Sequence, residues 1–202
     1  GVLYGDVTEP APEETPANPV SPYGITKWAG ERYLQCFVRE HGIDCVALRY
    51  SNVYGARQNP HGEAGVVAIF CTRMLQGETS TINGDGKYIR DYVHVSDVVN
   101  ANVKSLESKA KGFHYFNVGT GQPTDVNELE EMLRENTQQI LNKRSVERTV
   151  PTAGHGPERA GDLRSNLIAY EKIQNELGWS PQVAIKDGLK STAEWFGDKL
   201  LT

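Results

Sequence analysis

Apolar positions fall into two alternating kinds of run along this chain, and their spacing predicts its elements. PYGITKWAGERYLQCFVREH opens with Pro22, which suits a first helical turn, and reads as one helix ending near His41-Gly42. CVALRY (45–50) is a short apolar strand that runs straight into the polar loop SNVYGARQNP. Gly65 to Gly77 predicts a helix, and STINGDGKYIRDYVHV predicts a hairpin turning at Asp85-Gly86. Ser96 or Asp97 is expected to cap SDVVNANVKSLES, and FHYFNVG (113–119) to form a strand. Asp125 and Glu128 form a capping box for NELEEMLRENTQQIL, and RSVERTV (144–150) predicts a further strand. Closing helices near 168–177 and 187–200 flank Gly178-Trp179-Ser180-Pro181, with Trp179, Trp195 and Phe196 assigned to packing positions. Residues 7–22, rich in Pro and Glu, are a long loop of the kind that is functional or disordered. Alternation of strand and helix predicts an α/β architecture with parallel pairing.

Composition narrows the classes. With 202 residues the chain is long enough for one large domain or two small ones. A net charge of -5 with scattered Lys and Arg argues against nucleic acid and against docking on a membrane surface. No apolar run approaches the ~20 residues of a membrane span, and the start has no signal-peptide pattern. Without an initiator Met, GVLYGD reads as the end of a strand, so a fragment is expected. Cys36, Cys45 and Cys71 are odd in number, lack C-x-x-C spacing and sit in apolar patterns. Buried, reduced thiols in a cytoplasmic protein are the expectation. The five histidines are isolated, so no metal site is predicted.

Tyr23 and Lys27 stand four residues apart on the first predicted helix, and hence on one face of it. A free phenol titrates near 10. A cation beside a phenol stabilises the phenolate and suits it to proton transfer nearer neutrality. Alone, Y-x-x-x-K on a surface helix is more often chance.

The order of motifs reverses that. YGD, EETPxNPxSPYGxxK, LRYxNVYGxRQ, GDGxxxRDYVHVxD, FNVGTG, PxRxGD and ELGW run through nearly the whole chain. Together they resemble the carboxyl-terminal two-thirds of an extended short-chain dehydrogenase/reductase of the NAD-dependent epimerase/dehydratase family, most like the bacterial-type UDP-glucose 4-epimerases. The resemblance implies a Rossmann-type parallel sheet with a smaller α/β substrate-binding region. Residues 1–58 would then complete the NAD-binding domain with the catalytic helix. Residues 59–202 would be mainly the substrate region, with segments near 80–118 returning to the first domain.

By that resemblance Tyr23 is the acid/base that takes the sugar 4-hydroxyl proton, and Lys27 holds the nicotinamide ribose. Tyr50 borders the nicotinamide, and Ser51 stands where a Phe is usual. Asn52 and Arg90 meet the substrate diphosphate, Arg159 is a second phosphate arginine, and Asp162 lies near the uridine ribose. A guanidinium fork suits phosphate oxygens. The family's Ser or Thr would precede Gly1, and its glycine-rich phosphate turn would also lie upstream. Gly119-Thr120-Gly121 tempts as that turn but lacks the third glycine; a turn that needs small residues is favoured. The bland alternatives are a turn role for Asn52, pairing of Arg90 with Asp91 or Asp97 across a hairpin, and a solvated Arg159. A capping role is expected for Asp97.

The resemblance further implies NAD as cofactor, a UDP-sugar substrate and a homodimer through the Tyr23 helix. A 4,6-dehydratase is the rival: it needs an Asp-Glu pair where Gly1 and Val2 stand. A UDP-glucuronate decarboxylase is less favoured for a similar reason, and other sugar-nucleotide epimerases stay open. From another class, the chain would be a non-catalytic nucleotide-sugar binding fragment.

Overall fold

The computed structural model describes residues 2–61 and 65–201. Helix α1 (Pro22–His41) starts where the Ser21 hydroxyl accepts a hydrogen bond from Gly24 N at 3.1 Å. It stops at Gly42, whose φ of 63° lets its N–H reach Val38 O. Then follow β1 (Cys45–Tyr50), β2 (Asn52–Tyr54), α2 (Val66–Gln76), β3 (Thr81–Asn83), β4 (Ile89–Arg90), β5 (Tyr92–His94) and α3 (Val95–Glu107). The second half holds β6 (Phe113–Val118), β7 (Thr124–Asp125), α4 (Val126–Lys143), β8 (Gly154–Gly156), β9 (Ser165–Asn166), α5 (Glu171–Leu177) and α6 (Ile185–Leu200). Both bonds of the Asp125–Glu128 capping box are present at the start of α4.

Pairing is mostly parallel, as expected of α/β alternation. β1 lies beside β6 along its whole length, from Cys45 opposite Phe113 to Tyr50 opposite Val118. β2 pairs with β5, and β3 with β8, both in parallel. β4 sits between antiparallel β7 and parallel β9.

The main core lies among α2, α4 and α6, where Phe70, Met74, Leu129, Leu133, Leu189 and Phe196 interlock. Leu129, Leu133 and Leu141 mark the buried stripe of α4 at helical spacing; each such side chain gains about 1.5–3 kcal/mol from leaving water. A second cluster packs α3 and α5 on β6 through Val98, Phe116, Ile173 and Trp179. Trp179 is buried and donates its indole N–H to Asp97 O at 2.9 Å, while Trp195 packs half-buried against the main core.

Five expectations need correction. The stretch 81–94 is no hairpin: β3 bonds to β8, β4 to β7 and β9, and β5 to β2. Residues 144–150 form no strand; Arg144 to Ser145 closes the end of α4 through bonds back to Ile140, Leu141 and Asn142. α3 is capped by neither Ser96 nor Asp97 but by His94, whose ring accepts from Ser96 N. Buried Asp97 instead accepts from Gln182 N and Val183 N and pins the loop before α6. Cys36 is exposed and Cys45 half-buried; of the thiols only Cys71 is buried, which pushes it up to about 12. Residues 2–6 form turns and bends rather than a strand end, and Gly1 lies outside the described residues.

Candidate active site

Helix α1 presents Tyr23 and Lys27 together. The Lys27 ammonium lies 5.0 Å from the centroid of the Tyr23 ring, within cation–π range. Tyr23 is 54% exposed, and among the described residues neither its hydroxyl nor the ammonium has a hydrogen-bond partner. The first turn of the helix is seated on residues 2–5. A Cβ at buried Gly24 would stand 3.1 Å from Val2 O, and Asn18 N donates to Leu3 O at 2.9 Å.

Beneath the helix runs a buried polar chain that the sequence reading missed. Arg49 on β1 donates from Nε and Nη2 to the two carboxylate oxygens of Glu31, each at 2.7 Å. Its Nη1 donates to the Tyr4 hydroxyl at 2.7 Å, and that hydroxyl donates to Asn117 Oδ1 at 2.7 Å. Asn117 N donates in turn to buried Glu13, and its side-chain amide to Ala11 O. Burial works against the charge on Arg49, but its bonds to Glu31 and Tyr4 prevail and hold it above its ordinary value. Burial raises the Tyr4 hydroxyl and the Glu13 carboxyl. The available signal was a charged residue inside the apolar run CVALRY, because buried charges are paired.

At the carboxyl end of β1 the chain splits toward two partners. The Tyr50 hydroxyl donates to Asn102 Oδ1 at 3.0 Å, and Ser51 N to Val118 O. Asn52 donates both its backbone N–H and its side-chain amide to Asp91 O, each at 2.9 Å. Its side chain thus holds β2 to the residue just before β5, a link between strands rather than within a turn.

Arg90 pairs with neither Asp91 nor Asp97. Its Nη2 lies 2.6 Å from Asp162 Oδ1, and its Nη1 donates to Ile89 O. Asp162 N closes a turn on Arg159 O at 3.2 Å, and that turn leaves Arg159 exposed. Asp91 has another duty, also unforeseen: it is fully buried and accepts from Thr120 N, Thr120 Oγ1 and Gly121 N at 2.6–3.1 Å. The Thr120 and Gly121 amides are therefore engaged by a carboxylate and are not a phosphate cradle. Gly119 has no room for a Cβ, which would meet the Asp91 carboxylate and lie 2.6 Å from Ile168 Cγ1. Among the described residues no group of His, Cys, Asp and Glu is placed to hold a metal ion, and no helix is long and apolar enough to cross a membrane.

The structure thus joins Arg90 to Asp162, ties Asn52 to the neighbouring Asp91, and keeps Tyr23 with Lys27. The model of the NAD dependent epimerase/dehydratase family matches residues 1–119. A UDP-glucose 4-epimerase of Mycolicibacterium smegmatis is 42% identical over 200 residues, which cover 98% of this chain and 60% of that protein. The crystal structure of a Thermotoga maritima UDP-glucose 4-epimerase with UDP-glucose superposes with a TM-score of 0.88 at 46% identity, covering 99% of this chain and 62% of that one. A Thermus thermophilus UDP-glucose 4-epimerase complex with NAD gives 0.85 at 37% identity, covering 97% and 61%. The chain spans about three fifths of the length of these relatives.

Proposed function

Because this chain belongs to the NAD dependent epimerase/dehydratase family, we propose that the protein carrying it interconverts UDP-glucose and UDP-galactose at C4 with bound NAD. The observation that carries this reading is the exposed Tyr23 phenol with the Lys27 ammonium 5.0 Å from its ring. A phenol with no hydrogen-bond partner among the described residues has its oxygen available to a ligand, and so has the ammonium. These two groups fit the nicotinamide ribose end of NAD, with Tyr50 at the carboxyl end of β1 assigned to border the nicotinamide. When bound, NAD supplies the acceptor and donor for the C4 hydride.

The chain's own residues handle the proton and the anion. The Tyr23 oxygen takes the proton of the sugar 4-hydroxyl and returns it after the sugar has turned. Lys27, held over the Tyr23 ring, orients the ribose. Arg90, with Arg159 on the same loop as Asp162, meets the diphosphate, and Asn52 and Asp162 border the nucleotide. A 4,6-dehydratase would need a proton-moving side chain where Val2 stands, and an isopropyl group moves none. A cytoplasmic setting suits three unbridged thiols.

The experiment is direct. The full-length protein carrying this chain is purified, its NAD is released and quantified, and UDP-galactose is assayed for conversion to UDP-glucose. A 4-keto-6-deoxy product in place of UDP-glucose would favour elimination, and no conversion of any UDP-sugar would remove the enzymatic reading.

The same helix supports a homodimer. α1 exposes Ile25, Trp28, Tyr33, Leu34 and Phe37, an apolar surface of a kind that marks interfaces. Light scattering should report twice the chain mass for the full-length protein, and half of that for Leu34→Glu/Phe37→Glu. A monomeric parent would end this part of the reading.

A further inference from the structure

Along α1, Tyr23, Lys27 and Glu31 follow at four-residue steps, each about 40° further round the helix than the last. Lys27 and Glu31 are therefore natural i,i+4 partners. Such a pair would draw the ammonium along the helix, away from the phenol. It is not formed. Among the described residues the ion partners of Glu31 are Arg49, on both oxygens, and Arg32 at 3.8 Å, while Lys27 stays over the Tyr23 ring.

Arg49 reaches Glu31 from the neighbouring strand. The two side chains are only 9% and 10% exposed, so water screens their attraction weakly. A bidentate guanidinium–carboxylate pair also fixes direction as well as distance. The Tyr115 ring lies 4.3 Å from the guanidinium carbon and holds the plane of the fork. The third arm ends on Tyr4, in the segment on which the first turn of α1 is seated.

We propose that Arg49 is a positioning residue for the Tyr23–Lys27 pair: it withholds Glu31 from Lys27 and fixes α1 against the segment that carries Tyr4. This rests on the reading of Tyr23 and Lys27 as the proton-transfer pair. Arg49 acts through Glu31 and Tyr4, the two side chains to which its guanidinium donates.

The test uses the full-length protein. Arg49→Gln removes the counter-charge and leaves Glu31 free to capture Lys27. Turnover should fall at least about ten-fold while KM for UDP-glucose stays within about three-fold, the signature of a defect in the chemical step. Arg49→Gln/Glu31→Gln, which has no competing carboxylate, should recover about a third or more of the parent turnover. A second readout needs no activity: acylation of individual lysines, followed by mass spectrometry with Lys199 as internal reference. Lys27 should react about three-fold more slowly in Arg49→Gln, because an ion pair masks the amine, and return to the parent rate in the double variant.

A lower melting temperature with unchanged turnover and unchanged Lys27 acylation overturns the proposal, as does a double variant no better than the single. Should Arg49→Gln not fold, Arg49→Lys carries the test. A lysine holds one carboxylate oxygen where the fork holds two, so smaller changes in the same direction are expected, and no change in either readout overturns the proposal. If the parent protein epimerises nothing, the proposed function fails, while lysine acylation still decides the role of Arg49.

Discussion

The Asp162 carboxylate accepts a 2.6 Å hydrogen bond from the Arg90 guanidinium, across 72 residues of chain. The Asp162 side chain is 36% exposed, and ion pairs open to water contribute little stability, typically about 0–1 kcal/mol. The pair's value under the proposed function would lie in placing charge beside β4 for a ligand. Under that function an incoming diphosphate would meet a guanidinium already oriented, with one arm held by Ile89 O.

For the full-length protein, Arg90→Ala should weaken UDP binding by several-fold or more, since a charge-assisted hydrogen bond to phosphate contributes about 1.5–3 kcal/mol. Retention of NAD should hardly change. Titration calorimetry with UDP decides it, and equal affinity in both proteins would mean that Arg90 serves only to hold Asp162.

Tyr23→Phe removes one oxygen from an exposed side chain and should leave folding and NAD content intact. Turnover should drop by about 10²–10⁴-fold, the usual contribution of a positioned acid–base group. The check is the rate of UDP-galactose conversion at saturating substrate, alongside quantified NAD. An unchanged turnover number removes Tyr23 from the chemistry.

Much of this was legible in the sequence, and the failures share a cause. Pro22, Gly42 and the Asp125–Glu128 box are local signals, and each sits where local rules place it. β1 and β6 were readable as apolar runs, although nothing in either announces its partner. The region 81–94 misled because Asp85-Gly86 is good turn chemistry, yet the residues around it bond to strands at 124–125, 154–156 and 165–166. Cys36 lies on a helix with apolar residues on several sides, so its pattern predicts burial that these residues do not provide. Arg49 and Glu31 are eighteen apart, so the charge inside CVALRY signals that a partner is needed without saying which. Asp91 was passed over for its neighbour Arg90, although its burial and its hold on Thr120 and Gly121 join RDY to FNVGTG physically.

Asp91 also gives a pH signature. Its carboxyl is raised above the ordinary range, chiefly by burial, with the bonds from Thr120 and Gly121 acting the other way. A folded value above the unfolded one means that the native state binds the proton more tightly. The corresponding stability is present below the ordinary carboxylate range and is lost as pH rises through the folded value. Asp91→Asn has no such titration. The melting temperature of the parent minus that of Asp91→Asn should therefore increase as pH falls from about 7 to about 4.5. Glu13, raised by burial in both proteins, cancels in that difference. A difference independent of pH would show that the hydrogen bonds offset burial in full.

The last prediction concerns residues 1–202 produced alone. β1 bonds to β6 along one edge, and among the described residues no strand pairs with its other edge. A bare strand edge is a template for association, and the helices packed on the β1–β6 pair cover its faces but not this edge. Apolar residues are also exposed on α1, among them Tyr33 and Phe37, and on α3, where Val99, Val103 and Leu106 stand in water. The three-helix core of α2, α4 and α6 is well filled by comparison, with Met74, Leu129, Leu133 and Leu189 fully buried. The 202-residue chain should therefore self-associate, melt broadly at its β1–β6 side, bind no NAD and show no epimerase activity. Hydrogen exchange should protect α2, α4 and α6 while β1 and α1 exchange quickly. A monodisperse chain that melts cooperatively and binds NAD at micromolar concentration would refute this, and would place the dinucleotide site within these 202 residues.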